Sequence, residues 1–196
     1  MTTKPQILKR RPVAKTRLFQ VEQLEMEFSN GVRRTYERLK RPGVGAVLIV
    51  PMLDNENVLL VREYGAGVED YQLALPKGAM DPGEDVLQAA NRELMEEVGY
   101  GAHCLQEIKN LTLSPAYMEH DIHVVLAEDL YEKRLPGDEP EPIEVVPWAI
   151  RDLSALMARD DFTEGRSVAA LYLVRDLLSA REKGGLSGGS EDDGWE

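Results

Sequence analysis

Residues 78–100 read GAMDPGEDVLQAANRELMEEVGY. Asp81-Pro82-Gly83 forms a turn, the following run has helical periodicity, and Gly99 acts as a stop, so a helix is expected over 84–98. At about 100° per residue, Glu93, Glu96 and Glu97 share an arc of roughly 100°. Leu87, Ala90, Leu94 and Val98 form a separate apolar stripe with Val86 at its edge. One side therefore buries, and the neighbouring side presents three carboxylates. Like charges at these spacings repel by roughly 0.2–0.5 kcal/mol per pair, a term whose sign a divalent cation reverses. Clustered hard oxygen ligands suit Mg²⁺ or Mn²⁺, which also bind substrate phosphates. A solvated acidic face would account for a Glu-Glu pair, but not for Gly78, Glu84, Arg92 and Gly99.

Those residues complete the pattern G-x5-E-x7-R-E-U-x-E-E-x-G-U, with U aliphatic, and in it the chain resembles the Nudix hydrolases. Seven fixed letters at ~5–10% background use coincide by chance about once in 10⁸. The pattern is broken only at its last position, a packing site, where Tyr100 stands. The resemblance implies an α+β fold: an α/β/α sandwich on a mixed sheet, with a loop–helix–loop holding divalent metal against a diphosphate linked to another moiety. By the same likeness Glu93, Glu96 and Glu97 are metal ligands, the backbone carbonyl of Lys77 or Gly78 completes the site, and Glu84 and Arg92 brace the loop. The metal would lower the pKa of a bound water and neutralise the pyrophosphate.

Features outside this box narrow the substrate. Pro115 lies sixteen residues past Gly99, the spacing seen in ADP-ribose pyrophosphatases. The acidic stretch from Gly137 to Glu144 resembles the loop that carries the catalytic glutamate in that group. The resemblance gives Glu139 the general-base role, Glu141 a metal-ligand role, and Glu96 a share in catalysis. Arg62 and Glu63 resemble substrate-binding positions. The N-terminal hairpin resembles a swapped, dimerising segment that holds adenine between subunits, with Phe19, Phe28, Arg33, Arg34 and Arg38 as stacking or phosphate-binding candidates. Lys77 stands where ADP-ribose-specific enzymes usually carry Ala, which argues against strict ADP-ribose specificity. The overall likeness is to the E-type branch of the group, whose substrates include ADP-ribose, NADH and short diadenosine polyphosphates. Competing readings are a Nudix enzyme for another nucleoside diphosphate derivative and a non-catalytic ligand sensor. The retained glutamates argue against the sensor.

The rest of the chain fits one mixed domain with an appendage. With 196 residues and 22.0 kDa it is too short for two ordinary domains. Asn30-Gly31 marks a hairpin over 16–40, a piece too small to stand alone. Strands are expected at 44–52, 58–63, 71–75, 104–113, 122–130 and 143–147, and a last helix at 167–181. This divides the chain into a dimerising hairpin at 1–40, a hydrolase domain at 41–183 and a disordered tail at 184–196. No apolar run approaches the ~20 residues of a membrane span, and no secretory apolar region follows the basic N-terminus. The lone Cys104 fits a reducing cytoplasm. The net charge of −12 repels phosphate backbones and argues against a nucleic-acid partner. Six cations nevertheless gather before residue 21 (Lys4, Lys9, Arg10, Arg11, Lys15 and Arg17), either as a solvated edge or as an attraction for anionic substrate.

Overall fold

The computed structural model describes residues 3–40, 43–137 and 139–186. The central strands are β4 (Ala46–Pro51), β5 (Asn57–Gly65) and β9 (Asp121–Glu132). Their sequences are near-continuous apolar runs, the pattern of strands covered on both faces. Alternate residues go to opposite layers. Val47, Ile49, Leu59, Val61, Val125 and Ala127 pack with Ala89, Ala90, Leu94 and Val98. Leu48, Val50, Val58, Leu60, Val124 and Leu126 pack with Leu156, Ala170, Leu171 and Val174. The result is the expected α/β/α sandwich, with α1 (Val86–Glu93) on one side and α2 (Leu153–Met157) and α3 (Gly165–Leu186) on the other.

Two sheets build the middle layer. One runs β7-β4-β9-β8, with β7 at Lys77–Ala79 and β8 at Tyr100–Thr112. It is mixed, because β4 and β9 pair in parallel with Leu48 opposite Val124. The other runs β10-β5-β6, all antiparallel, with β6 at Asp70–Ala74 and β10 at Glu144–Ala149.

The N-terminal appendage is larger than a hairpin. The expected Asn30-Gly31 turn joins β2 (Gln20–Glu27) to β3 (Arg33–Lys40), with Gly31 at φ +78° and Asn30 Oδ1 accepting from Val32 N at 3.1 Å. A further strand, β1 (Gln6–Lys15), pairs with β2. Four of the six cations, Lys9, Arg10, Arg11 and Lys15, stand on this solvated edge strand, where Lys9 lies opposite Glu25 and Arg11 donates to Gln23 at 2.7 Å. The strand was hidden because QILKRRPVAK has no period of two, and all ten residues are exposed. Pro12 is tolerated because β1 is an edge strand. The appendage is tied to the sandwich where Leu39 N donates to Tyr117 O and Glu119 N to Leu39 O, both at 2.8 Å.

The helix of the box also departs from expectation. The 81–83 turn precedes it as expected, with Glu84 N on Asp81 O at 3.1 Å, and Asp85 caps it: its side chain accepts from Gln88 N while Gln88 reaches back to the cap. Regular α-helix ends at Glu93, and Leu94–Val98 form a wider π-turn closed by Gly99 N on Leu94 O at 3.1 Å. The buried face is rotated away from Leu87, which is 37% exposed, towards Ala89 and Glu93. The carboxylates thus do not occupy a separate solvated face. The last helix continues to Leu186, so residues 184–186 belong to α3 rather than a tail. The expected disorder beyond them lies outside the described residues.

Candidate active site

β7 and the α1–π-turn unit bring the box together. A Cβ on Gly78 would overlap the Glu93 carboxylate, so the first letter of the motif is the seat for the last side chain of α1. Arg92 is the hub. It grips Glu84 through Nε–Oε1 at 2.8 Å and Nη2–Oε2 at 3.0 Å, and its Nη2 also donates to Ala79 O at 2.9 Å. Its Nη1 bridges Glu93 Oε1 at 2.8 Å and Glu96 Oε2 at 2.9 Å. Glu84 in turn accepts from Asp81 N at 2.9 Å, and Arg92 holds its carboxyl below the usual range. The bracing pair and the loop are therefore one ionic unit.

Glu97 is 3% exposed and accepts from Lys77 N at 3.0 Å. Burial first, and the nearby Glu63 second, push its carboxyl up to about 8. Burial likewise raises Glu93. Lys77 places its ammonium on Glu63 at 2.5 Å. Four carboxylates, those of Glu63, Glu93, Glu96 and Glu97, thus crowd around the cations of Lys77 and Arg92. Among the described residues, no three metal-type side chains converge on one point; Glu93 and Glu96 are engaged by Arg92, and Glu97 by Lys77 N. The donor set nevertheless fits a hard divalent cation. All its donors are oxygens, and burial disfavours the charged form of Glu97, a cost that a bound cation would offset.

The C-terminal end of the turn is fastened from behind. Gly99 has φ +84°, and a Cβ there would lie 2.7 Å from the Arg134 guanidinium. Arg134 Nη2 donates to Val98 O at 3.1 Å, Lys133 N to Gly99 O at 3.0 Å and Leu135 N to Met95 O at 3.1 Å. Three consecutive residues thereby lash the start of the acidic loop to the turn that carries Glu96 and Glu97. Neither this clamp nor the Lys77–Glu63 pair was foreseen. The basic pair Lys133-Arg134, opening an otherwise acidic loop, was the available signal.

The other expected residues divide. Glu139 folds its carboxylate against Gly137, and its charge contributes to raising Glu93, which places it within electrostatic reach of the box. Glu141 is taken by the Tyr71 hydroxyl, which donates to it. Arg62 is held between Glu144 at 2.8 Å and Asp161 at 2.7 Å. Phe28, Arg38 and Pro115 line one cleft of about 250 Å³ between the N-terminal sheet and the loop after β8. Arg38 there pairs with Glu22 at 2.9 Å and Glu119 at 3.2 Å. Arg34 is not on that cleft's lining; it is exposed, with Nη1 on Arg33 O at 2.8 Å.

Residues 41–171 match the NUDIX domain, and residues 5–38 match the NudE-type Nudix hydrolase N-terminal domain. The chain is 48% identical to the ADP compounds hydrolase NudE of Escherichia coli, over 91% of this chain and 95% of that one. It is 30% identical to an ADP-ribose pyrophosphatase of Bacillus subtilis, over 89% and 98% of the two chains. A crystal structure of an ADP compounds hydrolase superposes with a TM-score of 0.85 at 48% identity, covering 92% of this chain and 97% of that one.

Proposed function

Since the chain belongs to the Nudix hydrolase family, we propose that it hydrolyses the pyrophosphate bond of ADP-linked compounds (ADP-ribose, NADH and short diadenosine polyphosphates), releasing AMP. The observation that carries this reading is the placement of the box glutamates: Glu93 seated over Gly78 and joined to Glu96 through Arg92, Glu97 on Lys77 N, and Glu84 bracing Arg92. Glu93, Glu96 and Glu97, with the Lys77 backbone carbonyl and Glu141, are the residues that would hold Mg²⁺ or Mn²⁺. Such an ion, when bound, neutralises the diphosphate and acidifies a water.

The chain's own groups do the rest. Glu139 takes the proton from the attacking water as its oxygen bonds to phosphorus and the bridging P–O bond breaks. Glu96 lies at the same site and assists. Lys77, already at the edge of the carboxylate nest, offers its ammonium to the phosphate oxygens. Phe28, Pro115 and Arg38, which line one cleft, hold the adenine end, and Arg34, Arg62 and Glu63 are the further substrate-binding residues of this reading. The exposed N-terminal sheet supports a homodimer in which this end is shared between subunits. The lone Cys104 and a nucleotide substrate support a cytoplasmic location. Among the described residues, no helix is long and apolar enough to cross a membrane.

The test is a substrate panel with Mg²⁺ or Mn²⁺: ADP-ribose, NADH, diadenosine triphosphate, a sugar nucleotide, coenzyme A and an oxidised nucleoside triphosphate. AMP as a product from the first three is expected. Turnover confined to the last three would replace this reading.

A further inference from the structure

A second cleft, of about 410 Å³, shares Lys77 and Glu63 with the surroundings of Glu97. Thr163 and Arg166 line it as well. Its remaining wall is unusual for a solvent-facing hairpin: Tyr64 is 54% exposed and Val68 57%. Exposed aromatic and branched apolar side chains beside a polar site need a reason. Tyr64 is not a loose ring. It stands edge-to-face against Tyr71 at 5.5 Å and 70°, and Tyr71 is itself anchored by its hydroxyl on Glu141. The ring is thus held in place before any ligand arrives, which lowers the cost of binding against it. Hydrogen-bonding groups lie across the cleft, with Thr163 Oγ1 donating to Gln72 Oε1 at 2.7 Å.

We propose that this cleft is the subsite for the half of the substrate beyond the scissile pyrophosphate. Tyr64 stacks on the heterocycle of that half, so it favours dinucleotides over ADP-ribose. The proposal rests on the hydrolase reading above. The chemistry follows from the lining: a fixed π-face for a planar ring, polar groups for a ribose, and the Lys77 ammonium at the phosphate end. The Phe28–Pro115 cleft shares no lining residue with it, so the two clefts suit the two ends of one molecule. ADP-ribose ends in a ribose with no second base and gains no stacking from Tyr64, whereas NADH and diadenosine compounds do.

The experiment measures kcat/KM for NADH, diadenosine triphosphate and ADP-ribose in the wild type and in Tyr64→Ala, Tyr64→Phe and Gly67→Trp. Tyr64 is exposed, and a Cβ on Gly67 meets nothing within 4 Å, so the three substitutions start from open positions. The NADH to ADP-ribose ratio should fall about tenfold in Tyr64→Ala, through KM, and stay near wild type in Tyr64→Phe. In Gly67→Trp, which obstructs the cleft, it should fall again. A ratio unchanged in both Tyr64→Ala and Gly67→Trp would overturn the proposal. A separate arm titrates nicotinamide mononucleotide, the half without adenine, into the wild type and Tyr64→Ala. Binding about tenfold weaker in the variant supports the subsite, and equal binding removes it. Because this arm needs no turnover, an enzyme that cleaves none of the ADP compounds would refute the functional reading while the titration still decides the subsite.

Discussion

Position 78 has space for hydrogen and nothing larger, because the Glu93 carboxylate occupies the place of a Cβ. Gly78→Ala should therefore displace Glu93 while leaving the backbone unstrained. The expected result is a loss in kcat of about a hundredfold, ~2.7 kcal/mol, and a higher metal concentration for half activity, with an unaltered circular dichroism spectrum. Glu139 and Glu141 stand two residues apart, yet they have different neighbours, the charge of Glu93 for one and the Tyr71 hydroxyl for the other. Glu139→Gln is expected to lower kcat by two or more decades at nearly constant KM, and Glu141→Gln chiefly to raise the metal requirement. A silent Glu139→Gln alongside a kcat defect in Glu96→Gln would move the base to the helix. At this scale the motif shows which residues share a helix and loop but not what they do to each other. That Arg92 gathers three glutamates follows from the local spacing of one, four and eight residues. The hold of Tyr71 on Glu141 spans seventy residues, and no spacing rule reaches so far.

Among elements, the legible ones are those with an unambiguous period. Strands β4, β5 and β9 appear within about three residues of expectation, because continuous burial leaves a continuous apolar run. β7, three residues long, and α2, five, are too short to show a period at all. The π-turn was invisible because it is fixed by what lies behind it, the 133–135 clamp, rather than by its own sequence. That clamp makes a prediction. Arg134→Ala removes the charged donor on Val98 O and uncovers Gly99. The cost should be about 1.5–3 kcal/mol, seen as a lower melting temperature, together with a raised metal requirement at nearly unchanged KM. Arg134→Lys should restore part of both. If only the melting temperature moves, Arg134 supports the fold and not the placement of Glu96 and Glu97.

Across the whole molecule, distant segments are joined by few ionic ties, and these can be read through pH. Asp161, just ahead of α3, is held well below the usual carboxylate range by Arg159 and by Arg62 from β5. A depressed carboxyl stabilises the fold above its unfolded pKa, near 4, and that contribution disappears as pH falls through the lower, folded value. The stability gap between wild type and Asp161→Asn, from urea unfolding, should be constant from neutral pH to about 4 and close below it. A gap that instead closes on raising the pH would refute the tie. The N-terminal sheet, by contrast, meets the sandwich through the Leu39 bonds and the Arg38–Glu119 pair, while Ile7, Leu8, Val13, Leu18 and Phe19 face solvent. A three-stranded sheet with one such open face gains little from burial by itself. It also gathers six cations on a chain whose net charge is −12, so a second copy offers it both apolar cover and opposite charge. The full chain should accordingly sediment at twice its 22.0 kDa. Removal of residues 1–40 should give a monomer with weakened binding of AMP, because Phe28 and Arg38 leave the cleft that Pro115 completes. A full chain that sediments as a monomer and binds AMP as tightly as it turns over ADP-ribose would show that one subunit builds the adenine site alone, with the exposed sheet left to another purpose.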